Sequence, residues 1–236
     1  MEEVEAQALP LLCRLPQTSR ERLLTSALQH RVAAGTVLFE QGEVPTFQIA
    51  VLAGSVQLFG RSTQGREVLV EVVRAPDLII PAAMVTAAPY LMQARVPEPS
   101  RLLLIPAALF RDTLLQDPLL AHAVIGSLAQ QFRRMVRQVK NLKLRSSVQR
   151  VGCYLLTLSK RQDTPGQAVL PYEKNLIASE LGITRESFSR ALASLEQAGI
   201  QVAGQTITIA DAARLAAACQ PDPLIDDSAS ETTLQR

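Results

Sequence analysis

The chain has 236 residues, 47% of them hydrophobic and 19% charged, with 24 basic against 22 acidic side chains. That length accommodates two modest domains, and the balance is that of an ordinary globular protein, which excludes a wholly disordered chain. No uncharged apolar run reaches the ~18 residues of a membrane span, and the acidic start MEEVEAQALP lacks a signal peptide's pattern, so the expected location is the cytoplasm with no membrane partner.

In chain order, residues 11–29 read as one or two short helices, with Thr18 or Ser19 as the start and Leu23, Leu24, Ala27 and Leu28 as the buried side. From Val32 the pattern becomes that of strands. VLFEQG, FQIAVLAGSVQLFG and REVLVEVV alternate or run apolar, and Gly35, Gly42, Gly54, Gly60 and Gly65 mark turns between them. A further strand pair is expected at residues 91–96 and 100–105, separated by Pro97 and Pro99. Short strands with glycine corners predict a β-roll or barrel. His30 and His122 have no carboxylate or nucleophile at a motif spacing, and no other catalytic constellation occurs, which argues against an enzyme. Cys13, Cys153 and Cys219 are odd in number and far apart, so they predict small buried residues rather than a disulfide framework or a zinc site.

Asp117-Pro118 is a strong helix start. Beyond it Ala121, Ile125, Leu128, Phe132, Met135, Val139 and Leu142 alternate spacings of four and three, the seam of a coiled coil, which predicts a homodimer. The pattern fails at Ser146 and Gln149 and resumes at Val148, Val151, Leu155 and Leu158, so a hinge is expected at residues 143–146. Between residues 118 and 162 there are nine basic residues and no acidic one, a distribution that favours a polyanion. QDTPGQ (162–167) reads as a surface turn.

Residues 175–200 read as two amphipathic helices joined at Gly182, the pattern of a helix-turn-helix. Thr184 is the expected N-cap of the second helix. Phe188, Ala191, Leu192 and Leu195 would face the core, while Glu186, Ser189, Arg190 and Ala193 lie on the opposite face, where a major groove would meet them. Residues 200–209 read as a wing, Asp211 caps a last helix, and residues 221–236 are polar and expected to be disordered. The expected domains are a sensor roll (1–117), a dimerisation helix with its hinge (118–145), a winged helix-turn-helix (146–220) and a tail (221–236).

The run ExxSR at Glu186 to Arg190, set in LIASELGITRESFSRAL, resembles the recognition helix of the bacterial CRP/FNR family of transcription regulators. LFEQGE, AGSVQLF and REVLV are similar to the family's cyclic-nucleotide-binding roll. The resemblance implies an α+β chain with an N-terminal double-stranded β-roll, a long dimerisation helix and a C-terminal winged helix-turn-helix. It implies double-stranded DNA as partner, read as an inverted repeat of TTGA-type half-sites by Thr184, Arg185, Glu186, Ser189 and Arg190, with RNA polymerase as a further partner. Arg185 keeps a GTGA-like half-site open.

Members that bind cyclic AMP hold its ribose with Gly-Glu and its phosphate with Arg followed by Ser or Thr. Ile79-Ile80 and Tyr90-Leu91 stand in those places here, so cyclic AMP is not expected. Cys13 alone cannot hold an iron–sulfur cluster. LPYEKNLIASELGITRESFSRAL and PYLMQARVPEPSRLLLIP look like the denitrification-type branch, which senses gas through haem. The cofactor is unknown; haem is one candidate, with axial ligands from His30, His122, Cys13, Met84 or Met92, and ordinary structural histidines are the alternative. A reading of another class is a small-ligand or haem sensor whose helix-turn-helix serves protein contacts.

Overall fold

The computed structural model describes residues 9–13 and 15–226. The chain divides into two compact units, Met1–Gln131 and Phe132–Arg236, so the division falls inside the long helix rather than at either of its ends.

Among the described residues the first unit begins with two short helices, α1 (Pro10–Cys13) and α2 (Gln17–Thr25). Eight strands follow: β1 (Leu28–Val32), β2 (Val37–Phe39), β3 (Phe47–Ala53), β4 (Ser55–Arg61), β5 (Glu67–Arg74), β6 (Asp77–Ile79), β7 (Gln93–Arg95) and β8 (Ser100–Pro106). They form two antiparallel four-stranded sheets, ordered β1-β8-β3-β6 and β2-β7-β4-β5. Phe39, Ile49, Val51, Val56, Leu58, Val73, Ala94 and Leu102 fill the space between the sheets. The other face of the first sheet also packs. Ala50, Leu78, Leu103 and Ile105 meet Leu12, Leu23, Phe110, Leu120 and Val124 from the helices. Burial on both faces explains why β3 and β8 read as continuous apolar runs without alternation.

Three expectations are corrected in this unit. Residues 91–96 and 100–105 do not pair with each other. β7 lies between β2 and β4, while β8 lies between β1 and β3. Pro97 and Pro99 lack ladder donors and fix extended geometry, so the chain crosses from one sheet to the other there instead of turning back as a hairpin. Leu28 and Gln29, read as helical, begin an edge strand whose sequence LQHRV has no apolar alternation, and Leu28 is exposed. Cys13 is exposed as well, at the end of a helix whose burial is carried by Leu11 and Leu12. The tight corner between β3 and β4 does need its glycine. Gly54 has φ +82°, and a Cβ there would collide with Ser100 Oγ.

Two helices then carry the chain out of the roll, α3 (Pro81–Thr86) having come earlier, between β6 and β7: α4 (Ala107–Gln116) and α5 (Pro118–Leu144). Asp117 starts α5 as expected, its Oδ1 accepting the amides of Leu119 (2.9 Å) and Leu120 (3.4 Å).

The second unit contains the end of α5, then α6 (Ser147–Arg161), β9 (Gln167–Val169), α7 (Lys174–Glu180), α8 (Arg185–Glu196), β10 (Ile200–Ala203), β11 (Thr206–Ile209), α9 (Ala212–Cys219) and α10 (Pro223–Asp226). β9 was not foreseen; it pairs with β11 and makes the wing a three-stranded sheet, order β10-β11-β9. Residues 221–226, read as part of a disordered tail, include the short helix α10, and residues 227–236 lie outside the described residues. Among the described residues no helix is long and apolar enough to cross a membrane.

Candidate nucleic-acid interface

The interface is built on α6. The place where the heptad pattern failed, Ser146 and Gln149, is a capping box: Gln149 N donates to Ser146 Oγ (3.2 Å) and Ser146 N to Gln149 Oε1 (3.0 Å). α6 then buries Val151, Cys153 and Leu155 in a core shared with Ile177, Ala178, Leu181, Phe188, Ala191, Leu192 and Leu195. Gly152 faces α9, where a Cβ would collide with Cys219 Sγ. Cys153 and Cys219 are buried as expected, and burial pushes the Cys153 thiol up to about 12, which leaves it without thiolate character at neutral pH.

The turn between α7 and α8 is fixed from two sides. Gly182 adopts φ +64°, and its amide donates to Ser179 O (2.9 Å). Arg150 reaches across from α6 and donates through Nη1 to Leu181 O (2.6 Å) and Gly182 O (3.3 Å), capping carbonyls that α7 leaves unpaired. Arg150 had been counted only within the basic run, where nothing signals that a tertiary carbonyl waits for it.

Thr184 caps α8 as read, its Oγ1 accepting Ser187 N at 3.2 Å. Phe188, Ala191, Leu192 and Leu195 are buried, and Thr184, Arg185, Glu186, Ser189, Arg190 and Ala193 are exposed. Five of the side chains read as DNA contacts thus share one accessible face of one helix. Its own backbone amide and the Thr184 hydroxyl hold the Glu186 carboxyl below the usual range, so at neutral pH it is an acceptor only. Arg190 Nη2 donates to Ser187 Oγ (3.2 Å), a single exposed bond from the cationic guanidinium to a hydroxyl that a base edge can replace.

The nine basic residues of the long segment are not equivalent. Arg145 binds Asp226 through both terminal nitrogens, at 2.8 and 2.5 Å, and Lys140 Nζ lies 3.4 Å from Asp222 Oδ2. With Arg150, these charges serve the fold.

The seam of α5 is likewise divided. Ile125, Phe132, Met135 and Val139 are 63%, 61%, 54% and 46% exposed. Ala121 is half-buried, Leu128 packs against the core beneath the roll, and Leu142 lies against Gly182 of the helix-turn-helix, where a Cβ would collide with its Cδ2.

The residues that stand where the resemblance places the cyclic-AMP contacts are apolar or aromatic. Tyr90 stacks on Phe39, ring centroids 3.6 Å apart at 14°, within an apolar core that also takes in Ile79 and Ile80. Burial pushes the Tyr90 phenol up to about 12, which marks surroundings that would reject a phosphate's charge. The haem candidates are spread over several elements. His30 on β1 and His122 on α5 are exposed, Met84 is buried in the core beneath the roll with Arg111 donating to its sulfur, and Met92 packs against the core between the sheets.

Two family models match the chain, a cyclic nucleotide-binding domain over residues 29–117 and a Crp-like helix-turn-helix domain over residues 149–218. The CRP-like cAMP-activated global transcriptional regulator of Mycobacterium tuberculosis is 25% identical over 187 residues, 77% of this chain and 84% of that protein. The transcriptional activator protein FnrA of Stutzerimonas stutzeri is 24% identical over 188 residues, 78% of this chain and 77% of that protein. The structure of the c-di-GMP responsive global regulator CLP of Xanthomonas campestris superposes with a TM-score of 0.71 at 20% identity, covering 83% of this chain and 100% of that one, a likeness of fold. The roll, the long helix, the winged helix-turn-helix and these matches agree: the chain belongs to the CRP/FNR family and is a transcription regulator with a DNA-binding helix-turn-helix, not an enzyme.

Proposed function

We propose that the protein is a cytoplasmic homodimer that reads an inverted repeat of TTGA-type half-sites under the control of a signal in the roll that is not cyclic AMP, with a haem-bound gas or a redox change as the candidates. The observation that carries the DNA reading is the single accessible face of α8, where Arg185, Glu186, Ser189 and Arg190 stand clear of a fully packed opposite face. Arg190 donates to guanine O6 and N7, Glu186 accepts from cytosine N4, and Ser189 contacts the neighbouring thymine. Support for the dimer comes from the exposed stripe Ile125, Phe132, Met135 and Val139, apolar surface that a second copy would cover. Two-fold symmetry then sets half-site centres about ten base pairs apart. The aromatic stack of Phe39 and Tyr90 supports a signal of different chemistry from a cyclic nucleotide.

The test is fluorescence anisotropy with a duplex carrying such a repeat and a scrambled duplex of the same composition, at several salt concentrations. Preferential binding to the repeat is expected. Equal affinity for both duplexes would refute the reading of α8 as a specificity element.

A further inference from the structure

The break between α5 and α6 is covered by the chain's own C-terminal segment. Arg145, between the two helices, has a side chain only 5% exposed, and its partner Asp226 is 18% exposed. The pair is bidentate, and Arg145 Nη1 also donates to Asn141 Oδ1 (3.2 Å), one turn back on α5. Asp222 contributes in two ways. It caps α10 through Leu224 N (2.9 Å) and reaches Lys140 on α5 (3.4 Å), while its own amide donates to Asp226 Oδ2 (2.8 Å). The guanidinium of Arg145 is held above its usual range by the Asp226 hydrogen bond, and the Leu224 amide holds the Asp222 carboxyl low, so both groups are charged. Two carboxylates, three and seven residues past the end of α9, thus bind Lys140 on α5 and Arg145 in the break itself.

From this break the contacts run on to the turn of the helix-turn-helix. α6 begins two residues after Arg145, Arg150 on its first turn holds the carbonyls of Leu181 and Gly182, and Leu142 on the last turn of α5 lies against Gly182. Thr184 then starts α8. We propose that Asp226, acting through Arg145 and assisted by Asp222, is a positioning residue for operator reading: it locks the α5–α6 junction so that α8 is held at a fixed orientation to the last turns of α5. A part-buried bidentate pair on a buried arginine suits that task because it specifies one geometry, and breaking it strands the Arg145 charge. The residues expected to act as a loose hinge are on this view a fastened joint.

The proposal rests on the DNA-reading role of α8, and its test separates the two. In the full-length chain, Asp226→Asn keeps the shape of the side chain and removes its charge. Backbone amide exchange at residues 144–150 and affinity for the repeat and scrambled duplexes are measured together. The expected result is faster exchange at the junction and about tenfold or greater loss for the repeat, with little change for the scrambled duplex and an unfolding transition that stays cooperative at a lower midpoint. The double variant Arg145→Asp with Asp226→Arg, which restores an ion pair in reverse, should recover part of both. Wild-type exchange at the junction, or equal losses for both duplexes without recovery in the double variant, would overturn the proposal. If the wild-type chain binds neither duplex preferentially, the DNA reading fails, and the exchange data alone decide whether the junction is fastened.

Discussion

Two arginines of the second unit show how one residue type serves opposite ends. Arg190 lies on the exposed face of α8, bonded to Ser187, and Arg150 uses Nη1 for the carbonyls of Leu181 and Gly182. Arg190→Ala is therefore expected to lose about 1–3 kcal/mol of specific binding while folding normally and remaining dimeric. Unchanged discrimination between the repeat and a scrambled duplex would remove Arg190 from the readout. Arg150→Met should instead lower the folding stability of the chain by about 1–3 kcal/mol, because two carbonyls lose a charged donor. Its salt dependence of DNA binding should stay at the wild-type slope; a shallower slope would mean that Arg150 contacts phosphate after all. The exposed set from Thr184 to Arg190 was legible because helical periodicity alone sorts one face from the other. The roles of Arg145 and Arg150 were not, since their partners lie far along the chain.

At the level of elements, local chemistry fixed the starts of helices. Thr184, Asp211 and Asp117 cap where their side chains suggest, and Ser146 with Gln149 turns an apparent defect of the heptad into a helix start. Ser146→Ala should cost about 1 kcal/mol, seen as a shift in the urea midpoint at unchanged m-value. Asp117 gives a pH dependence of known sign. The nearby Ser19 hydroxyl, together with the amides of Leu119 and Leu120, holds its carboxyl below the usual value. Its contribution to stability is fully present above the ordinary carboxylate range and is lost as pH falls through the depressed folded value. Asp117→Asn, which still caps, should flatten this acid limb in a series of thermal unfolding curves; an unaltered limb would assign the acid sensitivity to other carboxylates. Strands were less legible than helices. β1, β6 and β9 are short or polar, and what makes them strands is a neighbour's ladder rather than their own pattern.

For the whole molecule, the exposed stripe of α5 is the feature that points beyond one chain. Phe132→Glu should give a folded monomer by sedimentation that no longer binds the inverted repeat, because charge placed in an apolar interface is not compensated. A variant that is still dimeric would move the interface elsewhere. The sequence by itself determined the roll, the long helix, the winged helix-turn-helix and the exposed face of α8, since each rests on periodicity, glycine corners and caps that act within a few residues. Only the tertiary structure decided which sheet each strand joins, that Leu128 of the seam packs against the core beneath the roll, and that Leu142, though 39% exposed, also touches Gly182. It also decided that Tyr90 fills the roll by stacking on Phe39, and that Asp222 and Asp226 return to fasten the break at Arg145. These outcomes depend on contacts between residues distant in the chain, where neither spacing nor composition carries the information and where burial sets the energy.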